Sequence, residues 1–220
     1  MRTSPAYDAY ADWYEEFVQD SLPYMDRVRS LLAQLLGPGG DRCLDLCCGG
    51  GAHASTVAGL GWTPIGVDLS LGQLRHAKDR LPVAAGDASR LPVRSNSLAA
   101  AACVLAHTDL PDYAAVVAEV VRVLRPGGCF VHVGLHPCFV GAFADWSEPD
   151  RVVIDPRYAV RDLAFDGPPQ GVRVRVGAWH VPLADLLNTF LGAGLRIDRV
   201  AESTGNGIAD VFAVRAVKLG

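Results

Sequence analysis

The run Cys43-Leu-Asp-Leu-Cys-Cys-Gly-Gly-Gly-Ala-His-Ala54 concentrates most of the recognisable chemistry of this 220-residue chain. An apolar stretch leads to an acid, Asp45, and then into Gly49-Gly50-Gly51 and a helix-forming segment. Glycines at such a turn let the backbone bend sharply and let a ligand approach where a Cβ would collide. A helix that starts behind them presents unpaired N–H groups. Strand, acid, glycine turn and helix together make a nucleotide-type ligand site at the mouth of a parallel sheet.

Two ligands compete for that site. Gly49-x-Gly51-x-x-Ala54 fits the dinucleotide fingerprint of an NAD-dependent oxidoreductase. Asp45, four residues ahead of Gly49, brings a carboxylate into the crevice, which disfavours a pyrophosphate and favours an ammonium. S-adenosylmethionine (SAM) carries an ammonium and a sulfonium and no phosphate. The local alternative is that Asp45 only caps the turn that follows. Two further acids follow apolar runs: Asp68 closes Thr63-Pro-Ile-Gly-Val-Asp68, and Asp87 closes Leu81-Pro-Val-Ala-Ala-Gly-Asp87. Asp68 stands where the acid of a second strand meets ribose hydroxyls, which a carboxylate binds in a charge-assisted, two-pronged contact. Asp87 is placed to accept from an adenine amino group.

At this point the chain resembles the class I SAM-dependent methyltransferases, in the broad group of small bacterial methyltransferase-domain proteins. The first motif of that family reads Asp-apolar-Gly-Cys-Gly-x-Gly, and here it reads Asp45-Leu-Cys-Cys-Gly-Gly-Gly51, with Cys47 in place of the first glycine. Asp68 matches the ribose-binding acid, Asp87-Ala88 the adenine-binding pair, and Val123-Leu-Arg-Pro-Gly-Gly128 the turn before the fifth strand. Leu98-Ala99 departs from the Phe-Asp that usually opens the fourth strand. The resemblance is good over residues 41–135 and loose elsewhere. It implies an α/β, Rossmann-like, doubly wound seven-stranded sheet, mostly parallel with an antiparallel last strand, helices on both faces and an N-terminal helical lid. It implies SAM as cofactor and S-adenosylhomocysteine as product. The cofactor-binding set is then Tyr14, Asp45, Cys47, Gly49, Gly51, His53, Asp68, Leu69, Asp87, Ala88 and Leu105. A SAM-binding protein of this fold that transfers no methyl is the other reading of the same motifs.

Methyl transfer is an in-line displacement in which the protein aligns the reactants and excludes water. A base is needed when the acceptor starts as a protonated hydroxyl, amine or activated carbon, and histidine suits neutral pH. His107, His136 and His180 are the candidates: two follow the fourth and fifth strands at their carboxyl edge, and the third precedes a helix. Asp109 is a candidate to orient His107, although residues two apart after a strand can point apart. His53, in the glycine turn, contacts the cofactor or caps the helix, and His132 reads as core. Oxygen is the favoured acceptor atom, with nitrogen and carbon open. No Gly-x-Ser-x-Gly elbow supports a hydrolase, and no acid or cysteine spacing fits a metal.

The rest of the chain must position these groups. The spacing predicts helices at 4–20, 23–36, 51–60, 70–79, 111–124 and 182–192. It predicts strands at 41–46, 63–67, 82–85, 98–104, 128–135, 195–202 and 209–217, an alternation that calls for a parallel sheet. Tyr7, Tyr10, Tyr14 and Phe17 fall on one helical stripe. Residues 1–220 read as one domain, with a helical cap over 1–36 and a proline-rich insertion over 136–178 that is too long for a plain loop. A short strand is expected at 172–176, and a hairpin turn at Thr204-Gly-Asn-Gly207. The net charge of −4 offers no electrostatic footprint for nucleic acid. No apolar run reaches membrane-spanning length, and the first residues lack a signal-peptide core. A small-molecule acceptor, a cytoplasmic location and a monomer or homodimer are the expectations. The six cysteines contain no Cys-x-x-Cys pair and read as buried thiols.

Overall fold

The computed structural model describes residues 5–148, 150–205 and 207–220. Its centre is a seven-stranded sheet in the order β10-β11-β5-β4-β1-β2-β3. The strands are β1 (Arg42–Leu46), β2 (Thr63–Asp68), β3 (Val83–Ala85), β4 (Leu98–Val104), β5 (Leu124–Leu135), β10 (Leu195–Thr204) and β11 (Ala209–Lys218). β1 pairs in parallel with both β2 and β4, and β4 in parallel with β5. Only β11 is reversed, antiparallel to β5 and to β10. β4 is buried along its whole length, which explains why Leu-Ala-Ala-Ala-Ala-Cys-Val forms a central strand without a family-typical Phe-Asp start.

Among the described residues, seven α-helices accompany the sheet: α1 (Ala11–Asp20), α2 (Leu22–Leu36), α3 (Ala54–Gly59), α4 (Leu71–Ala77), α5 (Tyr113–Val123), the single turn α6 (Arg173–Val176) and α7 (Leu183–Gly192). Val28, Leu32 and Leu35 of α2 and Val57 of α3 pack on one face with Cys43, Ala100, Val131 and Ala213. Val116, Val120 and Val123 of α5 and Leu186 and Phe190 of α7 pack on the other with Leu44, Leu46 and Phe130. Phe130 and Phe190 are fully buried and stack at 5.6 Å, and burying each such ring stabilises the fold by about 1.5–3 kcal/mol.

Among the helix starts that differ from the sequence reading, three move inward for a local reason. α3 begins at Ala54 rather than 51, because Cys47, Gly49 and Gly51 all have positive φ (54°, 51° and 79°), which a helix cannot absorb. α4 begins after Ser70, whose hydroxyl accepts from the Gln73 N–H, and α5 after Asp112, whose carboxylate accepts from the Ala115 N–H. The N-terminal segment is not one helix: a 3-10 turn over Ala6–Tyr10 precedes α1, with a break at Tyr10. The change of period splits the aromatic stripe, leaving Tyr10 exposed while Tyr7 and Tyr14 turn inward and meet edge to face at 5.1 Å. Ser4, where that helix was expected to begin, lies outside the described residues.

The N-terminal segment is fastened to the sheet by polar contacts. Asp8 accepts from the Ser70 hydroxyl (2.6 Å) and the Gly72 N–H (3.0 Å). Glu15 pairs with Arg80, which also donates to the Gly50 carbonyl at 2.7 Å. A Cβ on Gly50 would stand 2.6 Å from the Glu15 carboxylate, so a larger residue there would push the Glu15–Arg80 pair aside.

Residues 136–181 form small pieces: β6 (Ala144–Asp145) with β7 (Val153–Ile154), a 3-10 turn over Pro156–Ala159, and β8 (Leu163–Ala164) with β9 (Ala178–Trp179). The expected strand at 172–176 is instead α6. Arg-Val-Arg-Val alternates like a strand, but Arg175 turns back to the Pro169 and Gly171 carbonyls and stacks its guanidinium 3.9 Å over the Trp13 ring. Gly177, at φ +76°, then ends the turn. Pro149 of the insertion and Asn206 of the expected hairpin turn lie outside the described residues.

Candidate active site

From β1 the chain builds outward through β2 to β3, then returns to β4 and β5 on the other side. The crevice at the carboxyl ends of β1 and β4 is therefore a topological switch point, where open α/β sheets bind ligands. A cavity of about 340 Å³ opens there. Its floor is Cys47 and Gly49 after β1, Asp68 and Leu69 after β2, Gly86 to Ala88 after β3 and Val104 to Ala106 after β4. Tyr7 and Tyr14 cover it from the N-terminal segment, and Leu163, Val176, Gly177 and Trp179 from the insertion.

Asp68 is held rigidly: Oδ2 accepts from the Gly49 N–H and Oδ1 from the Ser70 N–H, both at 2.8 Å. Burial raises its pKa, opposed by these backbone donors. The carboxylate thereby links the glycine turn to β2 and leaves its remaining lone pairs toward the cavity. Asp87 accepts from the Ser89 N–H (2.8 Å) and hydroxyl (2.7 Å) through Oδ1, which keeps its pKa low. Leu105 adopts φ +57° as it leaves β4 and donates to the Val133 carbonyl at 2.7 Å. A leucine there costs about 1–2 kcal/mol, and the turn carries the chain along the cavity wall.

Other cavity residues were not singled out by sequence reasoning. Asp109 was considered only as a partner for His107, yet it faces the cavity and accepts from the Tyr7 hydroxyl at 3.2 and 3.3 Å. Desolvation raises its pKa to about 7. Gln73 is 2% exposed, and neither its Nε2 nor its Oε1 has a partner among the described residues. A signal for it existed: Gln73 is polar yet shares the inward face of α4 with Ala77, four residues on. The lining also includes Ser70 and Thr108.

Several sequence candidates stand off this wall. Asp45 is buried and does not line the cavity. On its strand the flanking Leu44 and Leu46 face α5 and α7, so Asp45 points to the opposite face. Its Oδ2 has no partner, and burial raises its pKa to about 7. Gly51 serves packing, since a Cβ there would meet Leu81 at 2.7 Å. His53 occupies the N-cap of α3 without a side-chain cap bond and is buried away from the cavity, its pKa lowered to about 4 chiefly by desolvation. His136 is not a wall residue of either pocket: it is packed against Phe139, contacts Glu202 at 2.8 Å and accepts from the Cys138 N–H through Nδ1. It is fully engaged as a structural corner after β5.

A second, smaller pocket of about 50 Å³ adjoins the first, sharing Thr108 and Trp179 with it. His107 and His180 both line it, with Phe143 and Arg173. His180 donates through Nε2 to the Tyr158 carbonyl at 2.8 Å, which fixes its ring. His107 is 2% exposed, and burial lowers its pKa to about 4, so it is neutral near pH 7.

The residues present fit SAM. The larger cavity presents three carboxylates, Asp68, Asp87 and Asp109, and its described lining contains no lysine, arginine or histidine. A cationic ligand gains from such a wall and a pyrophosphate does not. When bound, SAM supplies an electrophilic methyl group on sulfur; Asp68 would hold its ribose hydroxyls, and Asp87 with Ala88 its adenine.

Comparison with known proteins agrees. A family model described as a methyltransferase domain matches residues 43–128. A demethylmenaquinone methyltransferase of Mycobacterium sp. (strain KMS) is 37% identical over 97 residues, covering 44% of this chain and 42% of that protein. A phthiotriol/phenolphthiotriol dimycocerosates methyltransferase of Mycobacterium leprae is 36% identical over 107 residues, covering 44% and 39%. The chain thus spans about two fifths of the length of the curated relatives it matches. The crystal structure of a SAM-dependent methyltransferase from Mesorhizobium loti superposes with a TM-score of 0.70 at 25% identity, over 88% of this chain and 96% of that one. No helix among the described residues is long and apolar enough to cross a membrane. The motifs, the sheet order and the acid-lined cavity agree with these likenesses: residues 43–128 match a methyltransferase domain, and the fold is that of SAM-dependent methyltransferases.

Proposed function

We propose that this chain transfers the methyl group of SAM to a hydroxyl oxygen of a small aromatic acceptor that reaches the smaller pocket. One observation carries the reading: an acid-lined cavity without basic residues adjoins, across the shared Thr108 and Trp179, a pocket walled by the neutral imidazole of His107. Phe143 and Trp179 give that pocket an aromatic wall, beside the charged side chains of Arg157, Asp162, Asp166 and Arg173. His107 takes the acceptor's hydroxyl proton. The freed oxygen would then be held in line with the electrophilic methyl group that SAM supplies, with S-adenosylhomocysteine leaving as the product. The imidazolium then returns its proton to solvent. The low pKa of His107 makes it a weak base, so it suits an acceptor whose hydroxyl is itself acidic, such as a phenol.

Transfer to carbon is the second reading, favoured by the relatives named for demethylmenaquinone. The same deprotonation serves it, because an aromatic oxyanion also places negative charge on ring carbon. The N-terminal segment and residues 136–181 act as the two covers of the site, excluding water during transfer.

Incubation of the protein with SAM and a metabolite extract, followed by mass spectrometry, should find one compound that gains a methyl group. The position of the new methyl separates oxygen from carbon. His107→Gln should lower kcat by about 10²–10⁴ while SAM affinity stays unchanged. A full-rate His107→Gln enzyme would remove the base from this scheme.

A further inference from the structure

Behind His107 lies a buried polar chain that the scheme above does not use. His132 sits in the middle of β5, fully buried, opposite Cys103 of β4. Its Nδ1 is 2.8 Å from the Tyr113 hydroxyl, and that hydroxyl is hydrogen-bonded to the Cys103 thiol. The His107 and His132 rings meet edge to face at 4.9 Å. His107 Nδ1 and His132 Nε2 are both buried and without a partner among the described residues.

Those two nitrogens converge. A Cβ on Gly134 would stand 2.5 Å from His107 Nδ1 and 3.0 Å from His132 Nε2. Glycine at 134 keeps open the space in which the two rings face each other. An unpaired buried nitrogen costs about 1–3 kcal/mol, so two placed around one point favour a link between them, direct or through a single water.

We infer that His132, held by Tyr113, is a positioning residue that fixes the tautomer and orientation of His107. The inference rests on the reading of His107 as the base. Donors run outward from the pocket: His107 Nδ1–H toward His132 Nε2, His132 Nδ1–H to the Tyr113 oxygen, and the Tyr113 O–H to the Cys103 sulfur. This direction takes the Cys103 sulfur as the acceptor of the Tyr113 O–H, since a thiol is a weak donor beside a phenol; the opposite direction, with Tyr113 donating to His132 Nδ1, would place the His107 proton on Nε2. The outward direction leaves the lone pair of His107 on Nε2, the nitrogen away from His132, where the acceptor hydroxyl must arrive. Which nitrogen of an imidazole is protonated is set by the bond its other nitrogen makes.

Long-range proton–nitrogen correlation NMR on the ligand-free full chain reads the tautomer of each imidazole. The expected parent spectrum has His107 protonated on Nδ1, with His132→Gln shifting it toward the Nε2–H form. Tyr113→Phe, which removes one oxygen and keeps the ring in the core, should shift it the same way and serves if His132→Gln does not fold. A His107 protonated on Nε2 in the parent, or a tautomer unchanged by the variants, overturns the inference. Turnover separates the two claims. Both variants should lower kcat at least tenfold with SAM affinity unchanged, since loss of the orienting partner of a catalytic imidazole costs up to ~10⁴ elsewhere. Loss in His107→Gln with full activity in His132→Gln and Tyr113→Phe overturns the positioning role and leaves the base intact. Full activity in His107→Gln overturns the base itself.

Discussion

The larger cavity takes its floor from four consecutive strand ends, and the smaller pocket takes most of its wall from residues 135–181. The first floor is fixed by parallel register over buried strands and by backbone donors to Asp68. The second wall is fixed by two-residue strands, a single helical turn and side-chain contacts such as His180 to Tyr158 and Arg175 to Trp13. One region is rigid because many backbone bonds must break together. The other is held by local contacts that a different sequence could rearrange. A cofactor site shared across a family belongs on the first kind of scaffold, and an acceptor site that differs between members belongs on the second.

The same contrast decides what could be read from the sequence. Asp68, Asp87 and the glycine turn announce themselves because a strand end, an acid and a glycine are adjacent in the chain, so local pattern equals local structure. The seven sheet strands and their mostly parallel sense follow from that alternation; their order is a property of the fold. Asp45 shows the limit even there: its position in the motif was plain, but the two-residue period of β1 turns it to the face away from the cavity wall. In the insertion, Arg-Val-Arg-Val reads as a strand and folds as a turn, because Trp13, some 160 residues away, captures Arg175. His107, His136 and His180 looked alike in sequence. Only the fold separates the two that line the pocket from His136, which is engaged with Glu202 and Cys138.

Removing one cover is the harshest test of this division. Deletion of residues 1–20 takes away Tyr7, Tyr14 and the Asp8 contacts to α4. Turnover should fall by about a hundredfold or more, as misplacement of reactants by even 1 Å can cost that much. The far-ultraviolet circular dichroism should retain the signature of the sheet and α2, which share a core without α1. An active truncated enzyme would mean that the cofactor site is complete on the sheet alone.

Asp68→Ala strikes the rigid floor directly. Charge-assisted bonds are worth about 1.5–3 kcal/mol each, so SAM should bind roughly 10–100-fold more weakly by calorimetry. Unchanged affinity would remove Asp68 from the ribose role.

A pH experiment asks whether the floor is poised for a cation. Desolvation raises Asp109 from 3.8 to about 7. An acid with a raised folded-state pKa stabilises the fold fully below its ordinary pKa, and that stability is lost as pH rises through about 7. The ligand-free protein should therefore lose stability between about pH 4 and 7, and Asp109→Asn should flatten that decline in urea melts. An equal slope in the variant would show that Asp109 is not desolvated.

The smallest effect belongs to Cys47→Gly. Cys47 sits at φ +54° on the cavity floor, where glycine relieves about 1 kcal/mol of strain against a similar loss of backbone entropy. Stability should hold nearly level, and SAM affinity should stay within a few-fold. A loss beyond tenfold would give the thiol a role in binding.

The central claim is that the acid-lined cavity holds a cationic, phosphate-free nucleoside. Parallel calorimetric titrations of the full chain with SAM and with NAD test it most directly. Saturable one-to-one binding of SAM, with no heat from NAD at the same concentrations, is the expected result. NAD binding as tightly as SAM, or no binding of SAM at all, would contradict it.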